Sequence, residues 1–289
     1  MKLAVSKLVL TFAGAALLAG IAIAQSSQDA PPSLDPNKQK AKAQTPAPEV
    51  TPLTLDSAPP PVNAEEDAAI KAFREAPLTD IPKKDQMGEE FLQKYPESRY
   101  RTDVYAWLVR GYLSQGQIDK METYGTKEIE INPGDAQTLA ILGSTLPRAM
   151  NANTPDPQKR LDLAEQYSKK CLELLPTLPK PTELSDDDFA KAKNQTAAMA
   201  YGGLGVVAFR RQKFAEAIPS LEQSVKLDPN PDPVNYFLLG IANQKASHFD
   251  DAVSAFTKCA AIPGGLQAKC QAGIDESKKL ASTQLSTPK

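Results

Sequence analysis

The 289-residue chain has one histidine, one tryptophan, three cysteines and no surplus of positive charge, and each shortage closes a class of function. With His248 alone, neither a His-rich metal site nor the paired-histidine helix of a zinc protease can be built. Cys171, Cys259 and Cys270 are too few for a disulfide-built scaffold. A formal net charge of −2 offers none of the basic footprint that nucleic acid or anionic lipid demands. No nucleophile–base pair, phosphate loop, G-x-S-x-G elbow or calcium-loop spacing is present. Gly203-Leu204-Gly205-Val206-Val207-Ala208 fits the dinucleotide fingerprint letter by letter, but it sits inside a helical run and not between a strand and a helix. The expectation is a non-enzyme with no cofactor, no metal and no nucleic-acid partner.

What is present begins with a secretory layout. Lys2 and Lys7 precede an apolar run from Leu8 to Ala24, and Ala22-Ile23-Ala24 forms a small-x-small cleavage site before Gln25. Residues 1–24 are therefore expected to be a cleaved signal peptide that sends the chain to a periplasmic or extracellular location. The alternative is a membrane anchor made of residues 8–24. No later segment reaches the ~20 apolar residues of a membrane span. Residues 25–63 carry nine prolines among small and polar residues. Too little apolar surface is available there to offset the entropy of ordering, so a disordered linker is expected.

From Ala64 onward apolar residues recur at three- and four-residue steps, and Gly and Pro separate the runs. That spacing predicts helices of about 11–20 residues up to residue 281 and a disordered tail over 282–289. The helices repeat. Tyr201, Leu204, Gly205, Phe214, Ala217 and Leu221 recur 35 residues later as Tyr236, Leu239, Gly240, Phe249, Ala252 and Phe256. Tyr105, Leu108, Ile118 and Met121 stand 96 residues before Tyr201, Leu204, Phe214 and Ala217. A period near 34 with helix–turn–helix content marks a stacked repeat array.

These residues resemble the tetratricopeptide repeat family, whose pattern runs aromatic, Leu-Gly, aromatic, Gly, Ala, large apolar, Ala and Pro. The clearest units are about 102–135, 136–177, 198–231 and 233–266, with an insertion around Asn151–Asp156 in the second, a weak unit at 65–98 and a capping helix at 266–281. Val109, Met121 and Glu128 depart from the pattern, standing where small residues are expected. The resemblance implies an all-α, right-handed superhelical array whose concave groove takes peptides. Carried over unit by unit, the groove positions are Trp107, Arg110 and Leu113, then Ile141, Ser144 and Arg148. Met199, Val206, Phe209 and Arg210 follow, and then Phe237, Ile241 and Lys245. Apolar anchors beside a basic line suit a peptide with hydrophobic and some acidic side chains. Trp107 is the leading anchor, the other reading of Trp107 and Phe237 being that they pack between helices. Ala106 and Arg110 replace the Lys and Asn with which chaperone-binding members clamp a C-terminal carboxylate, which disfavours chaperone tails.

Cys259 and Cys270 flank the Pro263-Gly264-Gly265 turn symmetrically, so two readings stand: a disulfide across a helix hairpin, or two small buried thiols. Asp186–Asp188 follow Ser185 as a helix N-terminus favours, without need of a cation. Asn194-Gln195-Thr196 is a glycosylation sequon, relevant only to a eukaryotic secretory route. The expected function is a protein-binding adaptor. The alternative is a structural subunit that forms a homo-oligomer or joins an envelope complex through its end faces.

Overall fold

The computed structural model describes residues 63–285, with side chains to residue 283. The expected signal segment, nearly all of the Pro-rich segment and residues 286–289 lie outside the described residues. Among the described residues the chain forms eleven α-helices and no strand. In order these are α1 (Ala64–Glu75), α2 (Ile81–Lys94), α3 (Arg101–Ser114), α4 (Ile118–Ile131), α5 (Ala136–Ala149) and α6 (Pro157–Leu174). After a 3-10 turn at Leu175–Thr177 come α7 (Asp186–Arg210), α8 (Phe214–Leu227), α9 (Pro233–Lys245), α10 (Phe249–Ala260) and α11 (Gln267–Leu285).

Local chemistry sets the helix starts. Asn63, Asp80, Asp135, Asp156, Ser185 and Asp232 each accept a backbone N–H of the helix that follows, capping α1, α2, α5, α6, α7 and α9. Each cap contributes about 1 kcal/mol by satisfying a donor that has no partner within the helix. Asp188 also accepts the Ser185 hydroxyl, and Lys180 pairs with Asp186.

The turns inside three hairpins share one geometry. Gly116, Gln212 and Ser247 adopt φ of 69°, 60° and 64°. The following N–H groups reach back five residues, from Gln117 to Tyr112, Lys213 to Ala208 and His248 to Asn243, at 2.8–2.9 Å. This is a left-handed helix stop that glycine adopts freely and other residues adopt at a cost.

Successive hairpins stack and share their cores. Gly205 and Gly240 are among the places where neighbouring helices pack closely: a Cβ there would stand 2.6 Å from Leu221 and from Phe256. Phe256 also lies against Gly273, so two glycines make room for one ring. The Cys259 and Cys270 sulfurs are bonded, with α-carbons 5.8 Å apart, tying α10 to α11. Cys171 is a free, buried thiol whose pKa burial pushes up to about 12.

The helices differ from the sequence-based expectation in two places. At 25 residues, α7 exceeds the expected length, because the Ser185 cap starts it well before its repeat unit. The last helix runs to Leu285. Residues 282–285, expected in the tail, are therefore helical; this stretch has neither Gly nor Pro to stop it.

Candidate functional site

Three helix ends meet beside α7 to form a cleft of about 560 Å³. Its walls include Arg148 from the last turn of α5, Val206, Phe209 and Arg210 from α7, and Val234 and Leu238 from α9. Phe214, at the start of α8, meets Phe209 edge-on at 5.3 Å and closes the apolar side together with Gln212. None of these lining residues is acidic.

Arg148 is half-buried, and the wall of the cleft depends on how it is held. Its Nη1 donates to the Ser144 carbonyl oxygen at 2.5 Å and its Nη2 to Asn235 Oδ1 at 2.6 Å. Asn235 Nδ2 donates to Ser224 Oγ at 2.9 Å, and that hydroxyl donates to the Ala198 carbonyl at 2.7 Å. The relay explains Gly202, where a Cβ would stand 3.0–3.2 Å from Ser224, Arg148 and Asn235 together. Arg148 Nε is out of solvent and has no hydrogen-bond partner. Burial lowers the pKa of Arg148 from its ordinary value, and the charge of Asp232 opposes the shift. Arg210 is exposed and its Nη2 donates to the Met150 carbonyl at 3.1 Å, covering the end of α5.

The sequence-derived groove set divides here. Arg148, Val206, Phe209 and Arg210 come together, Val206 being 3 % exposed. Trp107 is almost entirely covered. It is 9 % exposed, its Nε1 donates to Asp85 at 2.9 Å, and Phe73 meets its ring at 6.5 Å. Lys84 Nζ lies 4.5 Å above the same ring. The expectation of a tryptophan anchor is thus corrected: the hairpin α1–α2 covers the face of α3 that a groove would need. Ile141 is buried in the same N-terminal core, and Leu113 packs against that core. Arg110 donates to Gln137 at 3.2 Å and is half-buried, and burial lowers its pKa against the opposing charges of Asp135, Glu128 and Asp103. Phe237 and Ile241 pack on the disulfide-capped end, with Phe237 6.0 Å from Phe256. Lys245 is exposed in the last turn of α9.

Val234, Leu238, Gln212 and Phe214 are cleft residues that the sequence reading missed. Apolar residues surround α9 on every side, so periodicity alone does not choose between the face of Phe237 and the face of Leu238. Among the described residues no three His, Cys, Asp or Glu side chains are grouped as a metal site. No helix there is long and apolar enough to cross a membrane.

Residues 198–231, which are the C-terminal part of α7 together with α8, match the tetratricopeptide repeat family. This segment is a tetratricopeptide repeat. The same boundaries follow from the spacing of Tyr201, Gly205, Phe214, Ala217 and Pro229. Among solved structures, the chain is similar to PilW, a type IV pilus biogenesis factor, at 17% identity and a TM-score of 0.46, covering 78% of this chain and 94% of that one. It is similar to yeast Tom70 at 16% identity and a TM-score of 0.45, covering 76% of this chain. The chain spans only 39% of the Tom70 length. A thermophilic TPR protein from Thermus thermophilus gives 16% identity, a TM-score of 0.43 and coverage of 76% and 99%. No curated protein sequence matches the chain. The fold assignment rests on the matched tetratricopeptide repeat and on the stacked helix hairpins around it.

Proposed function

We propose that this protein is a non-catalytic adaptor that holds a segment of a partner protein in the cleft between α5, α7 and α9. The observation that carries this reading is the cleft's makeup: an apolar wall of Phe209, Phe214 and Leu238 beside Arg148 and Arg210, with no acidic side chain lining it. An exported location fits the same picture. The Cys259–Cys270 bridge belongs to an oxidising compartment, and residues 1–24 have the layout of a secretory leader. Association through the C-terminal end face is the weaker reading, because Asp275, Glu276, Lys278 and Lys279 are exposed on α11.

The test is site-specific photo-crosslinking in the native envelope, with a benzophenone side chain at position 238 and, as control, at position 280. A partner captured through 238, absent at 280 and lost with Arg210→Glu is the expected result. Crosslinks confined to 280, or a product consisting of two copies of this chain, would replace the adaptor with the structural reading.

A further inference from the structure

Resting on the adaptor reading, we infer that the cleft recognises an aspartate or glutamate side chain inside an extended peptide, together with a large apolar residue next to it. Two other arginines of the array set the contrast. Arg160 holds Glu122 through both terminal nitrogens, at 3.1 and 2.6 Å. Arg211, the immediate neighbour of Arg210, holds Asp162 and Glu165 at 2.5 Å each. Both arginines have their counter-charge within the chain.

The two arginines of the cleft are treated differently. Arg148 gives its terminal nitrogens to a backbone carbonyl and an asparagine oxygen, both neutral, and leaves Nε without a partner. Arg210 donates only to backbone carbonyls. Among the described residues neither forms an ion pair with a carboxylate. A half-buried cation whose nearest charge, Asp232, makes no ion pair with it is costly, and an arriving carboxylate lowers that cost. Exposed Arg210, which donates through Nη2 alone, presents the planar guanidinium fork that fits a carboxylate, and Arg148 adds its charge from the wall of the cleft. The neighbouring Phe209, Phe214 and Leu238 side chains then define the second half of the ligand, a large apolar group placed beside the charge.

The ligand is assigned to the middle of a chain and not to its end. Lys245 lies seven residues beyond Leu238 on α9, two turns along the same side of the helix. A peptide that follows α9 therefore passes the arginine pair and continues toward a further cation.

The experiment uses the purified full chain and four fluorescein-labelled peptides in a Gly/Ser background, read by fluorescence anisotropy. Three are amidated at the C-terminus and carry a central Phe-Asp, Phe-Asn or Ala-Asp pair. The fourth ends in Phe with a free carboxylate. The expected result is that Phe-Asp binds about tenfold more tightly than each of the other three, and that added salt narrows the gap to Phe-Asn. Arg210→Gln should bring Phe-Asp down to the level of Phe-Asn while leaving the circular dichroism spectrum unchanged. Arg148→Met should do the same, and because it also releases Asn235, its melting curve is recorded in parallel. Equal binding of Phe-Asp and Phe-Asn would overturn the carboxylate assignment and leave the adaptor reading intact. Preference for the free terminus would overturn the internal position. Failure of all four probes would overturn the inference, and crosslinking through position 238 then decides separately whether the adaptor reading survives.

Discussion

In α4 the residue that faces the core next to Asn132 is Glu128, whereas the residues 96 and 131 positions later in α8 and α10 are Ser224 and Cys259. All three are essentially buried, at 1 %, 1 % and 0 % exposure. The two C-terminal residues are small enough to sit against the backbone of the neighbouring helix, though only Ser224 has a proton to donate, Cys259 being bonded to Cys270. Ser224 donates to the carbonyl of Ala198, and Cys259, from the matching place, lies 3.5 Å from the carbonyl of Pro233. Glu128 is too long and too polar for that role. Its Oε1 accepts from Asn132 at 3.0 Å and its Oε2 has no partner. On α2, Lys84 and Asp85 are also buried, Lys84 donating to the carbonyls of Arg74 and Ala76 at the end of α1. One hairpin design thus tolerates acids and a lysine in its N-terminal interior, where carbonyls, indole and amides meet all of them but Glu128 Oε2. The C-terminal units keep closely to the repeat and turn its small positions into a polar relay and a covalent tie.

The sharpest way to break this contrast is at Trp107. Trp107→Ala empties the N-terminal core and deprives Asp85 of a donor, so a loss of about 3–5 kcal/mol in urea unfolding is expected. Peptide capture by the cleft should be unchanged in whatever fraction remains folded. A variant that loses binding in proportion to local occupancy of the cleft, with its stability intact, would show that the two regions are coupled and that the indole is functional after all.

Glu128 provides a difference that pH can read. Burial raises its carboxyl to about 8, against the ordinary 4.5, with Asn132 opposing. The folded state therefore keeps a proton that the unfolded chain releases, so its stability is highest below the unfolded value and falls as pH rises from about 4.5 toward 8. Asp85, raised to about 6 chiefly by burial, tilts the curve the same way over its lower part. Glu128→Gln should stabilise the protein at neutral pH by an amount on the order of 1–3 kcal/mol and flatten the stability profile above pH 6. An unaltered profile would mean that the carboxylate is already solvated or paired.

The smallest effect reverses the ranking of the two regions. The hairpin turn has its preferred glycine at Gly116 in the irregular N-terminal unit, but Gln212 and Ser247 adopt the same left-handed backbone in the regular ones. Ser247→Gly should stabilise by about 0.5–1 kcal/mol, measured as a rise in melting temperature, while Gly116→Ala should destabilise by a similar amount. Equal and opposite shifts would show that the turn contributes independently of the core beneath it.

Much of the fold was legible because its determinants are local and periodic. Tyr201, Gly205, Phe214 and Ala217 and their echoes 35 residues on define hairpins by spacing alone. The early start of α7 was written in Ser185 and its aspartates, and only the far end of α11 lacked a stop signal. The site was less legible, since it depends on which faces remain uncovered. Nothing in the spacing of α3 reports that Lys84 and Phe73 lie over Trp107. Likewise, the all-round apolar surface of α9 does not say that Leu238 turns to the cleft while Phe237 turns to Phe256.

The hydrogen bond from Arg148 to Asn235 joins residues 87 positions apart, reaching from the second full unit past the third to the fourth. Solenoids usually gain and lose units freely over evolution, because each unit needs only its immediate neighbours. This chain has a ruler built into it. Deleting or duplicating the unit at 198–231 would leave Arg148 facing a residue other than Asn235, so the length of this stretch of the array is fixed by a contact that counts repeats.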